Sequence, residues 1–402
     1  MSRGPRQEDS MSVPVSVREL FPVTKRCTYF DVAYDCGGCL LGRAAAQRFF
    51  DDWEVSASEN ERGGPGRGVF FRELDEAREY LNELVGGTGP QQIAFARNTN
   101  EGINALLQGF DFREGDNIVT DAGEHQSVIM PCVNAGQFKG IEVRALPERE
   151  DRKILAEDLI ALANERTRII AVSHVQSATG WCMDLARLGA WCREHGVFLI
   201  VDAIQSLGIK PFRAEEWGVD AVAAGSYKGL CGSESAGFVY ADRALLEHVT
   251  PVYSAAGFIS SMKKEPSLRI EYSDPGAAKK LENSTLDNLG GYVLHDSVRF
   301  LLDLGVENIW EHVNGIYHRL YDGFRALGLE ILSSEDDAEH AGSLLLKGTG
   351  TEKSLGDLFD FLRSRNICLS FSHGFIRVSI GVFNTPGDAD ILLAAVKEFL
   401  EK

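Results

Sequence analysis

An α/β fold, with a doubly wound and mostly parallel sheet followed by a smaller α+β domain, is what this 402-residue sequence predicts. Three observations carry the prediction. From residue 91 to about 245, short β-rich runs alternate with helical patterns. These runs are apolar throughout, without the polar alternation of a half-exposed strand, so both faces of the sheet must be covered. Over about the last 120 residues the alternation gives way to long helical patterns and a few clustered strands.

In chain order, a charged helical pattern, "FRELDEAREYLNELVGG", comes first and closes on glycines suited to a helix C-cap. "IAF" is followed by "EGINALLQGF", "NIVT" by "EHQSVIMPC", "IEVRALP" by "AEDLIALANE" and "RIIAVSH" by "LARLGAWCREH"; "VFLIVDA" and "GFVYA" come later. In the C-terminal part, "YVLHDSVRFLLDLG" places Leu294, Val298 and Leu301 on one helical face and stops at Gly305. "SLLLKG", "ICLSF" and "FIRVSIG" read as strands. The final helix begins at "NTPGDAD", with Thr385 as cap, Pro386 in the first helical position and Asp388 facing the helix N-terminus. The expected organisation is an N-terminal segment, 1–20, packing on the small domain, a large domain over 21–275 and a small domain over 276–402. The glycine-rich "ERGGPGRG" (61–68) lacks the G-K-[ST] of a phosphate-binding P-loop.

Hydrophobic residues make up 44% and charged residues 25%, as in ordinary globular proteins. With 41 basic and 59 acidic side chains the net charge is −18, which repels nucleic acid and anionic lipid. No apolar run approaches the ~20 residues of a membrane span, and the opening "MSRGPRQEDSMSV" has no apolar signal core, so a cytoplasmic location is expected. The eight cysteines then read as reduced thiols. Cys36 and Cys39 form a C-x-x-C without the second such pair or nearby histidine pair that zinc would need, and no metal is expected.

One lysine stands out. In "AAGSYKGLCG", Lys228 lies among small and apolar residues, where an unpaired ammonium costs several kcal/mol. Upstream, "VFLIVDAIQSLG" runs five apolar residues into Asp202, 26 positions before Lys228 and about one strand–helix–strand step away. Strand-end residues of opposite charge can converge on one crevice of such a sheet. A lysine and a carboxylate so placed suit pyridoxal 5'-phosphate, the lysine as Schiff-base amine and the acid as partner of the ring nitrogen. "ARNTNEGIN" sets Thr99 and Asn100 where a strand turns into a helix, a phosphate-holding position. His125 in "DAGEHQS" follows the next strand and could stack on the cofactor ring. Each of these alone also fits a helix cap or a structural histidine.

Taken together, "RNTNEG", "EH", "SHVQSATG", "VDAIQS", "SYKGL" and "R-V-S…N-T" follow an order that resembles the class V aminotransferase branch of the fold-type I pyridoxal-phosphate enzymes. That branch includes cysteine desulfurases, kynureninase and isopenicillin N epimerase. The resemblance runs from "YFDVA" (29–33) to "RVSIGVFNTPGDAD" (377–390). It implies Lys228, Asp202 and His125 as catalytic residues. It implies Thr99, Asn100, His125, Ser177, Asp202, Gln205, Ser226, Tyr227, Lys228 and Thr285 as cofactor-binding residues. Within that set Gln205 bonds the ring hydroxyl, and Thr285 reaches the phosphate in the neighbouring subunit of a homodimer with shared active sites. Arg377 is implied as the clamp on a substrate carboxylate, with Tyr34 also in the substrate pocket. The chain departs from the pattern at Ser177, at Tyr227 before the lysine, and at Ser226, one place nearer the lysine than the usual serine.

For the reaction, "NICLSFSHGFIRVS" passes from strand to strand without a cysteine-bearing loop, and Cys368 falls inside the strand pattern. Ordinary desulfurase activity is therefore disfavoured. The expectation is an enzyme that removes a proton from Cα of an amino acid, with elimination or epimerisation to follow, as in the isopenicillin N epimerase-like subgroup. The alternatives are an aminotransferase, an unconventional desulfurase using Cys36 or Cys39 near the pocket, and a non-catalytic binding protein.

Overall fold

The computed structural model describes residues 13, 15–59, 68–149, 151–254, 259–263, 268–283 and 285–402; most of the glycine-rich stretch 61–68 lies outside them. A short β1 (Thr28–Tyr29) precedes two helices, α1 (Leu40–Glu59) and α2 (Gly68–Val85). Strands and helices then alternate through β2 (Ile93–Ala96), α3 (Thr99–Gly109), β3 (Asn117–Asp121), α4 (Gln126–Lys139), β4 (Glu142–Leu146) and α5 (Ala156–Leu162). The series continues with β5 (Thr167–Ser173), α6 (Leu185–His195), β6 (Phe198–Asp202), α7 (Ala214–Trp217), β7 (Ala221–Gly225), β8 (Gly237–Ala241) and α8 (Arg243–Leu246). A hairpin of β9 (Ile259–Lys263) and β10 (Arg269–Tyr272) leads to α9 (Asn288–Leu304) and α10 (Val306–Ala326). Last come β11 (Glu330–Ile331), β12 (Ser343–Gly348), α11 (Leu355–Ser364), β13 (Ile367–Cys368), β14 (Ser370–Ser372), β15 (Phe375–Ser379) and α12 (Pro386–Glu401).

Seven strands form the large sheet in the order β2-β8-β7-β6-β5-β3-β4. The five from β7 to β4 run parallel, and β8 is antiparallel to both its neighbours. Alternate residues of one strand feed different cores: Ile170 and Val172 one, Ile169 and Ala171 the other. Both faces are dry, which is why these strands carry no polar alternation. The small sheet, β11-β12-β15-β14, is antiparallel, with α10, α11 and α12 packed together beside it. Helix α9 packs on α1 and α2. The chain before β1 reaches the last helix: Arg18 donates to both Asp388 oxygens at 2.6 and 3.0 Å, and the Phe21 and Phe383 rings lie 4.6 Å apart. Thr385 and Asp388 form a reciprocal cap on α12, with Pro386 in its first turn.

Candidate active site

Parallel strands put their carboxyl ends on one edge of the sheet, and a cleft of about 830 Å³ opens there. Asp202 ends β6, Lys228 follows β7 and His125 follows β3. From the small domain, β15 brings Arg377 to the same cleft. Glycines let the lysine loop settle: Gly208, at φ +80°, packs on Gly229, and a Cβ on either would lie 2.3–2.4 Å from a backbone oxygen. The glycine of "RNTNEG" acts likewise, since a Cβ at Gly102 would meet Val239 Cγ2 at 2.5 Å and Ala223 Cβ at 3.1 Å. Helix α3 therefore presents its N-terminus directly at the sheet.

The site is dry at its base. Lys228 is 8% exposed, and burial pulls its ammonium down to about 8, with Arg377 adding to the effect and Asp202 opposing it. Its Nζ lies 5.6 Å from the centre of the Tyr227 ring. Asp202 is 3% exposed; burial raises it to about 6, against the Ile204 N–H at 2.9 Å, the Lys228 charge and the Thr99 hydroxyl. His125 caps α4, its Nδ1 accepting the Ser127 N–H at 3.2 Å, which leaves Nε2 to carry the proton of the neutral ring. Burial, and then the Lys228 charge, lower its affinity for a second proton.

Of the residues expected from sequence, Tyr34, Asn100, His125, Ser177, Gln205, Tyr227, Lys228 and Arg377 all border this cleft. Gln205 Nε2 donates to the Ala33 carbonyl at 3.1 Å, tying the N-terminal loop to the cleft wall. Arg377 donates to the Ser177 carbonyl at 3.2 Å and to Ser370 Oγ at 3.3 Å, with Asp31 at 3.6 Å; its Nε is buried without a partner.

Three expectations need correction. The Thr99 side chain does not face the cleft; its hydroxyl accepts the Gly225 N–H at 3.2 Å and bonds Asp202. Ser226 is fully buried and donates to the Ser233 carbonyl at 2.8 Å, because one position nearer the lysine turns its side chain away. Cys36 and Cys39 do not border the cleft. Cys36 is 1% exposed and hydrogen-bonded to Cys231, which holds its thiol below the ordinary value, whereas burial pushes Cys39 up to about 11. Thr285, expected to act across a subunit interface, lies outside the cleft of its own chain, in a separate hollow beside Ala96, Gly237 and Asp287.

Two acids were missed. Asp31 accepts from Ser370 and faces Arg377, so it orders that guanidinium. Glu124, in the quoted "EH", is buried and accepts from the Ser173 N–H at 2.6 Å and from its hydroxyl; burial, with Asp202 and Asp121 nearby, pushes it up to about 8. An acid adjoining a cleft histidine was the signal in the sequence.

The arrangement fits pyridoxal 5'-phosphate: a buried amine above a buried carboxylate, and the Thr99 and Asn100 N–H groups of α3 without intrahelical acceptors. Fold and site define a fold-type I pyridoxal-phosphate enzyme. The chain belongs to the class V aminotransferases: the family model "Aminotransferase class-V" matches residues 44–392. A probable cysteine desulfurase of Methanothermobacter thermautotrophicus is 24% identical over 403 residues, covering 95% of this chain and 97% of that protein. The apo structure of a cysteine desulfurase from Thermococcus onnurineus superposes with a TM-score of 0.85 at 20% identity, over 98% of this chain and 99% of that one. The cystine C–S lyase C-DES, solved with its product cysteine persulfide, superposes at 0.79 with 20% identity, over 94% and 99%.

Proposed function

We propose that the protein removes the Cα proton of an amino-acid substrate and carries out lyase- or epimerase-type chemistry from there. Pyridoxal phosphate, when bound, supplies the electron sink for a bond broken at Cα. In this reading Lys228 holds the cofactor covalently, Asp202 pairs with the ring nitrogen, Gln205 bonds the ring hydroxyl and His125 covers the ring face. The Thr99 and Asn100 N–H groups hold the phosphate. The functional unit is a cytoplasmic homodimer in which Thr285 of the partner subunit completes each phosphate site.

Arg377 binds the substrate carboxylate through its two-pronged fork. Its buried, unpartnered Nε shows that the present contacts do not exhaust its donors. The Lys228 Nζ, when not bonded to the cofactor, would be the base for the Cα proton. Burial keeps that amine close to its neutral form near pH 8, where it can accept one.

One observation carries the choice of reaction: the cleft has no thiol. All eight cysteines are among the described residues, and none borders it. A persulfide relay needs an exposed, activated sulfur. The likeness of fold to a C–S lyase supports elimination as the reading.

The test is to add a panel of amino acids to the holoenzyme in D₂O, follow the visible cofactor band and analyse products by mass spectrometry. The expected substrate gains deuterium at Cα or yields an elimination product, and Cys36→Ala and Cys39→Ala keep that reaction. Alanine formed from cysteine and lost in either variant would establish a desulfurase. Amino-group transfer to an added keto acid as the main reaction would establish an aminotransferase.

A further inference from the structure

We propose that His318, Asp337 and His340 form a site for one divalent transition-metal ion of the zinc type, with Asn314 as a fourth donor. Asn314 and His318 stand one helical turn apart on α10, so both face the loop between β11 and β12. That loop carries Asp337 and His340. His318 Nε2 lies 2.6 Å from Asp337 Oδ1, and His340 Nε2 lies 3.9 Å from the same oxygen. The ligand atoms of the three residues all fall within 4.8 Å of one another, the one such group among the described residues.

Two buried atoms here lack partners. His340 is fully buried and its Nε2 has no hydrogen bond; the buried Oδ1 of Asn314 has none either, although the Asn314 amide donates to Asp337. An unsatisfied buried polar group costs about 1–3 kcal/mol, and two around one carboxylate call for a ligand. Imidazole, carboxylate and amide oxygen suit zinc or cobalt(II). Ligand atoms around tetrahedral zinc lie roughly 3.3 Å apart, so closing the site draws ligand atoms now up to 4.8 Å apart together and opens the 2.6 Å His318–Asp337 contact, movements of up to roughly 1.5 Å.

The surroundings hold the ligands in place. Tyr317 stacks on the His340 ring at 3.6 Å and 11°, and its hydroxyl donates to the Ser334 carbonyl at 2.6 Å. Lys210 donates to the carbonyls of Asp337, Ala338 and His340 at 2.7, 3.4 and 2.8 Å, ordering the ligand loop. Two features oppose binding. The Lys210 charge repels a cation, and metal on Nε2 moves the ring proton to Nδ1, losing the 3.4 Å contact with the Gly342 N–H. Both weaken the site without misplacing a ligand.

The ion enters from the solvent side, where His318 and Asp337 are partly exposed, and water completes its shell. It ties α10 to a loop that also contacts the large domain, through Lys210 and through the Cys182 N–H on the Glu339 carbonyl at 3.0 Å. Ala341 and Ser343, just beyond His340, line a small hollow with Lys228 and Gln205. The ligand loop therefore runs on to the neighbourhood of Lys228. The site lay outside the sequence expectation of no metal because that expectation sought a second cysteine pair or a histidine pair close to Cys36 and Cys39, whereas these ligands are spread over 314–340.

The test uses chelator-treated, desalted holoenzyme titrated with cobalt(II) chloride, read by its visible absorption, and with zinc chloride, read by calorimetry. One saturable equivalent per chain is expected, with a raised thermal midpoint. His318→Ala and the largely exposed Asp337→Asn should each weaken binding at least tenfold and abolish the thermal effect while the cofactor band stays normal. Cys36→Ala and Cys39→Ala should bind as wild type. No saturable binding, or binding unchanged in both the His318 and Asp337 variants, overturns the site.

Discussion

Lys228→Met should stabilise the cofactor-free chain at neutral pH, because the native residue is an ammonium in a dry place. Burial lowers Lys228 from its ordinary 10.5 to about 8, equivalent to about 3 kcal/mol against the folded state wherever both states hold the proton. Some of this is returned on substitution, since Lys228 helps to keep Asp202 ionised. A net gain of about 1–2 kcal/mol is expected at pH 7. The sign of the pH dependence is fixed by the lowered value. Below about pH 8 folded and unfolded chains are both protonated at Lys228 and the cost is complete. Between about 8 and 10.5 the unfolded chain keeps a proton that the folded chain has lost, so wild-type stability rises relative to the variant. Urea unfolding of both proteins from pH 7 to 10.5 reads the difference directly, since other titrating groups largely cancel. Wild-type and variant curves that stay parallel throughout would mean that Lys228 is not desolvated, and the account of its amine as a base would fail with it.

Gly102→Ala should lower stability by about 1–2 kcal/mol, overpacking against Val239 and Ala223 outweighing a helix-propensity gain of about 1 kcal/mol. It should also weaken cofactor binding, because α3 must shift away from the sheet; equilibrium dialysis checks this, and unchanged affinity would separate the α3 terminus from the phosphate. Arg377→Ala should raise KM for the substrate found in the panel by roughly 10- to 100-fold, the loss of a charge-assisted bond being about 1.5–3 kcal/mol. Arg377→Lys should restore only part of it, because an ammonium lacks the fork; an unaltered KM in both variants would move the clamp elsewhere.

Much of this was legible in the sequence because the physics was local. Uninterrupted apolar runs such as those ending at Ser173 and Asp202 read as strands with both faces covered, and their carboxyl ends then had to meet. Thr385, Pro386 and Asp388 announced the start of α12 for equally local reasons. What was not legible depends on which way a side chain points once neighbours are in place. Thr99 and Asn100 are adjacent and equally able to bond, yet the close approach of α3 at Gly102 turns the Thr99 hydroxyl onto Gly225 and Asp202. Ser226 and Tyr227 divide similarly, one toward Ser233 and one toward the cleft. The pairing of Cys36 with Cys231 joins positions nearly 200 residues apart, for which spacing carries no signal.

The placement of Glu124 shows how the dry sheet sets the charge beneath the cleft. Glu124 and Asp202 are both buried, and Asp202 disfavours ionisation of Glu124, but their partners differ. Asp202 has the Lys228 charge nearby and the Ile204 N–H on its Oδ1, so it is the carboxyl that ionises first. Glu124 has no cation among its determining neighbours and is pushed up to about 8, so at pH 7 it is largely protonated. The pair thus supplies one negative charge, located on Asp202; under the proposed function that is the single counter-charge a protonated ring nitrogen would need. If both acids were ionised, their repulsion would raise Asp202 and oppose the folded state; if both were neutral, the ring proton would have no partner. The neutral Glu124 keeps a structural task as well, joining the Ser173 end of β5 to the turn that carries His125.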